Sequence, residues 1–538
     1  MADLAATQVL VEPASLLDRK LARQPSRMGR AVFLAALAVG LGYIAVQVAR
    51  DLAPVHLGGH AAFILLGITL AIALGFEFVN GFHDTANAVA TVIYTHSLEP
   101  RLAVVWSGIC NLAGVLLSSG AVAYSVIALL PVELVLKISS GAGFSMVFAL
   151  LVAAILWNLG TWWFGLPASS SHTLVGSIIG VGLANQWLNP HSGASGLDWD
   201  QAVKVLKALL ISPLVGFVLA ALLLLLSKWA LRFPELYEAP KNNEPPPWPI
   251  RALMVVTCTG VSFFHGSNDG QKGMGLIMLI LIGTVPAAYA LNHGLGPADL
   301  EHLLSASAQV ESILDRQPGA AVAPAADPHA ALADSVRNRR VDAETLANLD
   351  AVVRGLDREM RQYGSLRALP AAVQMQVRND MYVTSEALRL LEKAHALQTT
   401  SADREALLRY RGGLSRATQF VPTWVKVAVA LALGLGTMVG WKRIVITVGE
   451  RIGKEHLTYA QGAAAGLVAM GTIFAADNFG LPVSTTHILS SGVAGSMAAN
   501  GSGLHLSTVR NIAAGWVLTL PAAALLAGLL YSLFRLIA

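Results

Sequence analysis

Charge is scarce in this sequence. Only 13% of its 538 residues are Asp, Glu, Lys or Arg, against 54% apolar, at a mean hydropathy of +0.58; a soluble globular chain carries roughly 25% charged residues. Water is therefore excluded as the solvent for most of the chain. Cysteine is rarer still: Cys110 and Cys258 each stand alone in an apolar segment without a CxxC or Cys/His spacing, so neither is assigned a redox or metal role. The formal net charge is only +4, and no basic stripe is interleaved with the aromatics, which make up 7%. Nucleic acid is excluded as a partner on that ground.

What is present is a series of apolar runs near 31–50, 61–80, 102–130, 144–164, 205–226, 252–264, 273–290, 423–440, 460–476 and 512–537. About 20 apolar residues cross the hydrocarbon of a bilayer. The runs predict an all-α polytopic membrane protein with about ten to twelve transmembrane helices. Lys20, Arg23, Arg27 and Arg30 precede the run Ala31–Ala49, which is too long for a cleaved leader. It reads as a retained first helix with its basic end in the cytoplasm.

Composition divides the chain further. Residues 1–59 form the basic N-terminal segment and extra helix, 60–227 a first transmembrane repeat, and 228–251 a polar linker through Glu244, Pro245, Pro246 and Pro247. Residues 252–283 open a second repeat and 422–538 complete it. Between them, 284–421 loses the membrane pattern: an Ala/Pro-rich stretch at Gln317–Asp327 and amphipathic segments such as Asp380–Gln398 predict an extramembrane helical insert.

The two repeats are visible as paired motifs. Gly165-Leu-Pro-Ala-Ser-Ser-Ser-His-Thr-Leu returns at 480–489 as Gly-Leu-Pro-Val-Ser-Thr-Thr-His-Ile-Leu, and Asn80-Gly-Phe-His-Asp-Thr-Ala-Asn aligns with His265-Gly-Ser-Asn-Asp-Gly-Gln-Lys. Gly81 then matches Gly266, and Asp84 matches Asp269. Duplicated, Gly/Pro-interrupted apolar segments are a signature of transporters whose halves meet at a midplane site.

The chemistry-bearing residues lie in those motifs. Glu77 and Asp84 are the only charges across 61–93, and Asp269 and Lys272 the only ones across 252–283. Ionisable groups at membrane depth cost on the order of 3 kcal/mol or more, so they pair or line an ion path. Asp269 and Lys272, three residues apart on a helix, also fit a simple buried ion pair, whereas Asp84 has no base near it in sequence. Glycines 81, 266, 270 and 273 are expected to break their helices and free backbone groups for a ligand. Asp84 and Asn87, one turn apart, would then converge on a hard cation, and Lys272 at the place of Asn87 would put an ammonium where a metal cation sits.

In the GLPxS segments, Ser169, Ser170 and Ser171, and Ser484, Thr485 and Thr486, fall at helix starts, where free amides, the helix dipole and hydroxyl donors suit a tetrahedral oxyanion. Plain N-capping is the alternative for each copy taken singly. His172 and His487 close the motifs and are secondary candidates, as are His83 and Asn268; Glu77, two turns before Asp84, is a candidate proton relay.

NGFHDTANAVATVIYT at 80–95, GTWWFGLPASSSHTLVG at 160–176, HGSNDGQKGMGL at 265–276 and GLPVSTTHILSS at 480–491 resemble the Pit family of inorganic phosphate transporters, in particular the bacterial low-affinity type. The resemblance covers roughly 60–285 and 420–538. It implies two inverted repeats with broken helices and helical hairpins meeting at phosphate, and secondary active transport in the bacterial inner membrane. By match to the family motifs, Asp84, Asn87 and Asp269 fall on cation-ligand positions and the GLPxS hydroxyls on phosphate-binding tips.

Sodium-coupled members carry asparagine where this chain has Lys272, so the resemblance favours proton-coupled symport of phosphate or a neutral metal–phosphate complex. A divalent metal such as magnesium is then a cosubstrate; no resident cofactor is expected and no metal ligands are assigned. Expected partners are phosphate, a coupling proton or sodium ion, the lipid bilayer and a second copy of the chain as a homodimer. The competing readings are sodium-coupled phosphate transport, transport of another oxyanion and, from a different class, an intramembrane phosphotransfer enzyme using Ser169 or Ser484.

Overall fold

The computed structural model describes residues 26–53, 60–84, 86–130, 141–189, 199–240, 244–318 and 321–537. Lys20 and Arg23 of the basic N-terminal segment lie outside them. Apart from one isolated bridge between Gly453 and Leu504, the regular elements among the described residues are helices. A chain dissolved in lipid must satisfy its backbone internally, and helices do so segment by segment.

The membrane helices of the first half are α1 (Arg27–Leu52), α2 (His60–Asp84), α3 (Ala86–Tyr94), α4 (Pro100–Leu117), α5 (Ala121–Ile127), α6 (Gly141–Trp163), α7 (Ser170–Leu188) and α8 (Trp199–Ala230). The second half opens with α9 (Trp248–Thr284) and passes through the insert helices α10 (Pro297–Asp315), α11 (Pro328–Asn338), α12 (Ala343–Tyr363), α13 (Ala371–Lys393) and α14 (Ser401–Thr418). It then resumes with α15 (Thr423–Thr437), α16 (Tyr459–Asn478), α17 (Thr485–Asn500) and α18 (Leu506–Ile537).

By length and apolar composition, 7 helices among the described residues qualify to cross a membrane, or 8 if the pair α14 and α15, bent by 71°, counts as one span. Helices α7, α9 and α17 fall outside both counts, and α15 enters only as part of that pair. Helices α15 and α17 are only 15 and 16 residues long, and α7 and α9 carry the polar motif residues.

The packing repeats across the halves. Helix α8 lies against α17 and α18 against α7; α9 lies against α4 and α2 against α15; α6 contacts both α2 and α18, as α16 contacts both α9 and α8. Each hairpin helix is thus backed by the long closing helix of the other half. Both closing helices are 32 residues long and carry an internal proline, Pro213 and Pro521.

Glycine makes these approaches possible, and here one expectation is corrected. Helix α9 runs unbroken through Gly266, Gly270 and Gly273, and α2 through Gly81. A Cβ at Gly81 would strike Leu433 O on α15, one at Gly266 Asn111 O on α4, and one at Gly273 the Glu77 carboxyl. Small residues let helix backbones close up in lipid. The breaks fall instead at the two hairpin tips.

The insert has a core of its own. On α12, Leu346, Leu349, Val353, Leu356 and Met360 are buried at spacings of 3 and 4, the stripe of an amphipathic helix. Asp342 caps its start by accepting from Thr345 N, and Gly364, with φ 67°, ends it. The insert is tied to the membrane part at several points. Asp200, at the head of α8, pairs with Arg339 at 3.0 Å and with Lys393, and Tyr124 on α5 donates to Phe420 O at 2.5 Å. Asp51, at the end of α1, accepts from Tyr289, at the start of the insert, at 2.6 Å and from Trp424, just after it, at 3.0 Å.

Candidate functional site

The hairpin tips are built by their own sequences. Gly165 and Gly480 sit at φ 66° and 61°, a left-handed backbone that glycine takes without a Cβ penalty. Pro167 and Pro482 follow and stop any continuation of the incoming helix. Ser169 and Ser484 then stand in extended backbone as N-caps, accepting from His172 N at 3.3 Å and His487 N at 3.1 Å. Those two hydroxyls are therefore occupied in capping. The tips meet: the His172 and His487 rings lie 4.4 Å apart, His487 stacks on Trp516 at 4.1 Å, and Ser171 Oγ donates to Val483 O at 2.8 Å.

On the first half, Asp84 of α2 lies against the start of α7. Its Oδ2 accepts from Ser170 Oγ at 2.5 Å and from Ser170 N at 3.2 Å, a carboxylate at a helix N-terminus where the dipole favours it. Its Oδ1 lies 2.6 Å from His83 Nδ1, and His83 Nε2 meets Thr161 Oγ1 at 3.0 Å. Asp84 therefore has a base beside it, contrary to the reading from sequence. Asn80 accepts from Ser170 Oγ at 2.8 Å and donates to Glu77 Oε2 at 3.4 Å. Asn87 does not converge with the Asp84 carboxylate: its amide reaches to Asp84 O at 2.9 Å and across the halves to Thr486 Oγ1 at 3.0 Å.

The second half uses the same positions with other chemistry. Lys272 Nζ donates to Asp269 Oδ1 at 2.6 Å, to Val483 O at 3.3 Å and to Ser171 Oγ on the opposite tip. Lys272 and Asp269 are 1% and 0% exposed. An ammonium withdrawn from water is tolerated only when its donors are matched by acceptors and a counter-charge, and three oxygens meet that need here. The simple ion pair and the ammonium in a cation's place are thus the same arrangement. Asn87 and Lys272, at matched positions, each reach the third hydroxyl of the other half's tip, Thr486 and Ser171. Asn268 donates to Leu481 O at 3.1 Å. Thr485 Oγ1 is buried and makes no hydrogen bond, in contrast to Ser170 at the matched place.

Between the halves, Asp84, Asp269 and His265 bring ligand atoms within 4.8 Å of one another, all three residues buried. His265 Nδ1 is held by Asn111 Oδ1 at 2.7 Å, and Nε2 lies 3.5 Å from Asp269 Oδ2. Two carboxylates and an imidazole can hold a cation there. Reading the sequence missed His265, although it is the partner of Asn80 in the aligned motifs; Asn111, an isolated amide in an apolar helix, offered only its polarity. Glu77 is fully buried against Gly273 of α9, with Oε1 free of any hydrogen-bond partner.

A family model described as the phosphate transporter family matches residues 80–527. The chain belongs to that family. It is 41% identical over 481 residues to the low-affinity inorganic phosphate transporter PitB of Escherichia coli strain K12, covering 87% of this chain and 96% of PitB. It is likewise 41% identical over 489 residues to PitA of the same strain, covering 88% and 97%. A solved structure titled the sodium-dependent phosphate transporter aligns with 88% of this chain at 16% identity and a TM-score of 0.48. These relatives are named transporters, and with them the membrane helices mark this family member as a multi-pass cell-membrane transporter rather than an enzyme.

Proposed function

We propose that the chain carries inorganic phosphate across the cell membrane by proton-coupled symport, as the free ion or as a neutral metal–phosphate complex. The observation that carries this reading is the meeting of two capped hairpin tips around one buried ammonium. Helix starts from both halves, their hydroxyls and Lys272 suit a tetrahedral oxyanion, and the uncommitted Thr485 hydroxyl is the donor we assign to it first. PitA and PitB bear the name of inorganic phosphate transporters, which supports phosphate over other oxyanions.

The coupling ion is argued from Lys272. Its ammonium holds a carboxylate, a carbonyl and a hydroxyl together, a ligand set that would otherwise suit a hard cation. A fixed cation there leaves protons on the remaining carboxylates, Asp84 and Glu77, as the mobile charge. A second reading rests on the Asp84, Asp269 and His265 cluster, which favours a bound cation and hence sodium coupling or an accompanying divalent metal. Alternating access follows if the tips part toward one side at a time.

Radiolabelled phosphate uptake into proteoliposomes under imposed proton or sodium gradients, with and without magnesium, separates the readings. Uptake that follows the proton gradient and rises with magnesium supports the first; sodium dependence selects the second. Absence of phosphate uptake under every gradient would overturn both.

A further inference from the structure

The two tips are held in different ways, and the difference isolates a carboxylate outside the phosphate and cation sites. Tip 1 meets Asp84 and Asn80 of its own half at Ser170, and its approach is anchored by the other half: Thr447 Oγ1 donates to Gly165 O at 2.8 Å, Trp516 Nε1 to Pro167 O at 2.8 Å and Arg443 to Trp163 O. Tip 2 meets Asn87 and Ser171 of the other half at Thr486 and Val483 O, and its approach is anchored along α9 of its own half. Asp477, in the last turn of α16, accepts from Ser267 Oγ at 2.7 Å through one oxygen and from Gln271 Nε2 at 2.8 Å through the other. Asn268 and Lys272 continue the row onto Leu481 O and Val483 O.

Helical spacing explains the row, since residues 267, 268, 271 and 272 share one face of α9. Gln271 also carries the connection onward, because its Oε1 accepts from Val122 N at 2.9 Å in the first turn of α5. Asp477 is badly placed for its own helix: a carboxylate in a last turn opposes the dipole. The matched residue on tip 1, three before its glycine, is Trp162, which donates to Gly440 O at 2.7 Å. Asp477 is half-buried while Asn478 and Phe479 beside it are exposed, so it stands at the margin of the sealed site. Its two hydrogen bonds come from neutral donors, which can be exchanged for water more readily than a buried ion pair.

We propose that Asp477 is a positioning residue that latches hairpin tip 2 shut against α9, and that the tip opens by breaking its bonds to Ser267 and Gln271. The proposal rests on the transport reading only for what the tip encloses. Phosphate enters or leaves past tip 2 on the side where Asp477 meets water, while tip 1, held by the opposite half, stays in place during that step.

The test uses the full chain in proteoliposomes with Cys110 and Cys258 replaced by Ala and Val483, buried behind the latch, replaced by Cys. A membrane-impermeant maleimide is the probe. Asp477→Ala and Gln271→Ala are each expected to raise the labelling rate at least tenfold, while Asp477→Asn, which still accepts from Gln271 and can donate to Ser267, stays within about twofold of the parent. If Asp477→Ala does not fold, Gln271→Ala carries the test. Labelling unchanged in the alanine variants overturns the latch. Saturating phosphate that slows labelling of the variants supports both latch and substrate; faster labelling without phosphate protection supports the latch while overturning phosphate as the enclosed ligand.

Discussion

Lys272 decides how charge is handled in this molecule. Removing its ammonium by Lys272→Asn leaves Asp269 buried without its counter-charge, a defect typically worth about 3–5 kcal/mol, unless an ion from solution takes the vacated position. Phosphate uptake by the variant in proteoliposomes is therefore expected to fall more than about tenfold in sodium-free medium, a loss of about 1.4 kcal/mol or more, and to recover in part with sodium. A sodium-free rate equal to the parent's would sink the argument. Thr485 makes a milder case. Its hydroxyl is buried without a partner, so Thr485→Val should leave folding intact and raise the phosphate KM several-fold, about 1 kcal/mol for one neutral hydrogen bond; an unchanged KM would remove Thr485 from the site. Asp84, Asp269, Lys272 and the tip hydroxyls stood out in the sequence because polarity inside an apolar run is conspicuous. His83 was passed over as the partner of Asp84 although it is the adjacent residue; Asn87 turned to Thr486 and Asp477 turned to Ser267 and Gln271 did not stand out, because each is a relation across space that spacing along one helix does not encode.

At the scale of elements, the hairpins were legible because each is written by a local rule: glycine in left-handed backbone, proline, then a hydroxyl cap. The glycines of α2 and α9 were misread for a physical reason. In water glycine loosens a helix, but in lipid the backbone has no other hydrogen-bond partners, and the missing side chain is used for contact. Two substitutions separate these roles. A Cβ at Gly180 of α7 would meet the backbone of Ala524 on α18, whereas one at Gly160 of α6 would meet nothing within 4 Å. Gly180→Ala is expected to destabilise the protein by about 1–3 kcal/mol through overpacking, and Gly160→Ala to leave thermal unfolding in detergent unchanged or slightly improved. Equal melting of the two variants would contradict the contact role.

At the scale of the molecule, two halves trade partners and the insert is pinned to them at Asp51, Tyr124 and Asp200. The insert's own stability carries a pH dependence. Burial on α13 pushes the Asp380 carboxyl from the ordinary value of 3.8 up to about 6, against the opposing pull of His329, 2.9 Å away. A carboxyl that keeps its proton more tightly when folded binds more protons in the folded state, so its contribution is complete below about pH 3.8 and is lost as pH rises through about 6. The difference amounts to roughly 3 kcal/mol at most by pH 7. Asp380→Asn, which holds the neutral form at every pH, should therefore unfold together with the parent near pH 4 and at a higher temperature near pH 7, followed on the full chain in detergent. A gap between the two that stays constant from pH 4 to pH 7 would assign the effect to packing rather than to the proton.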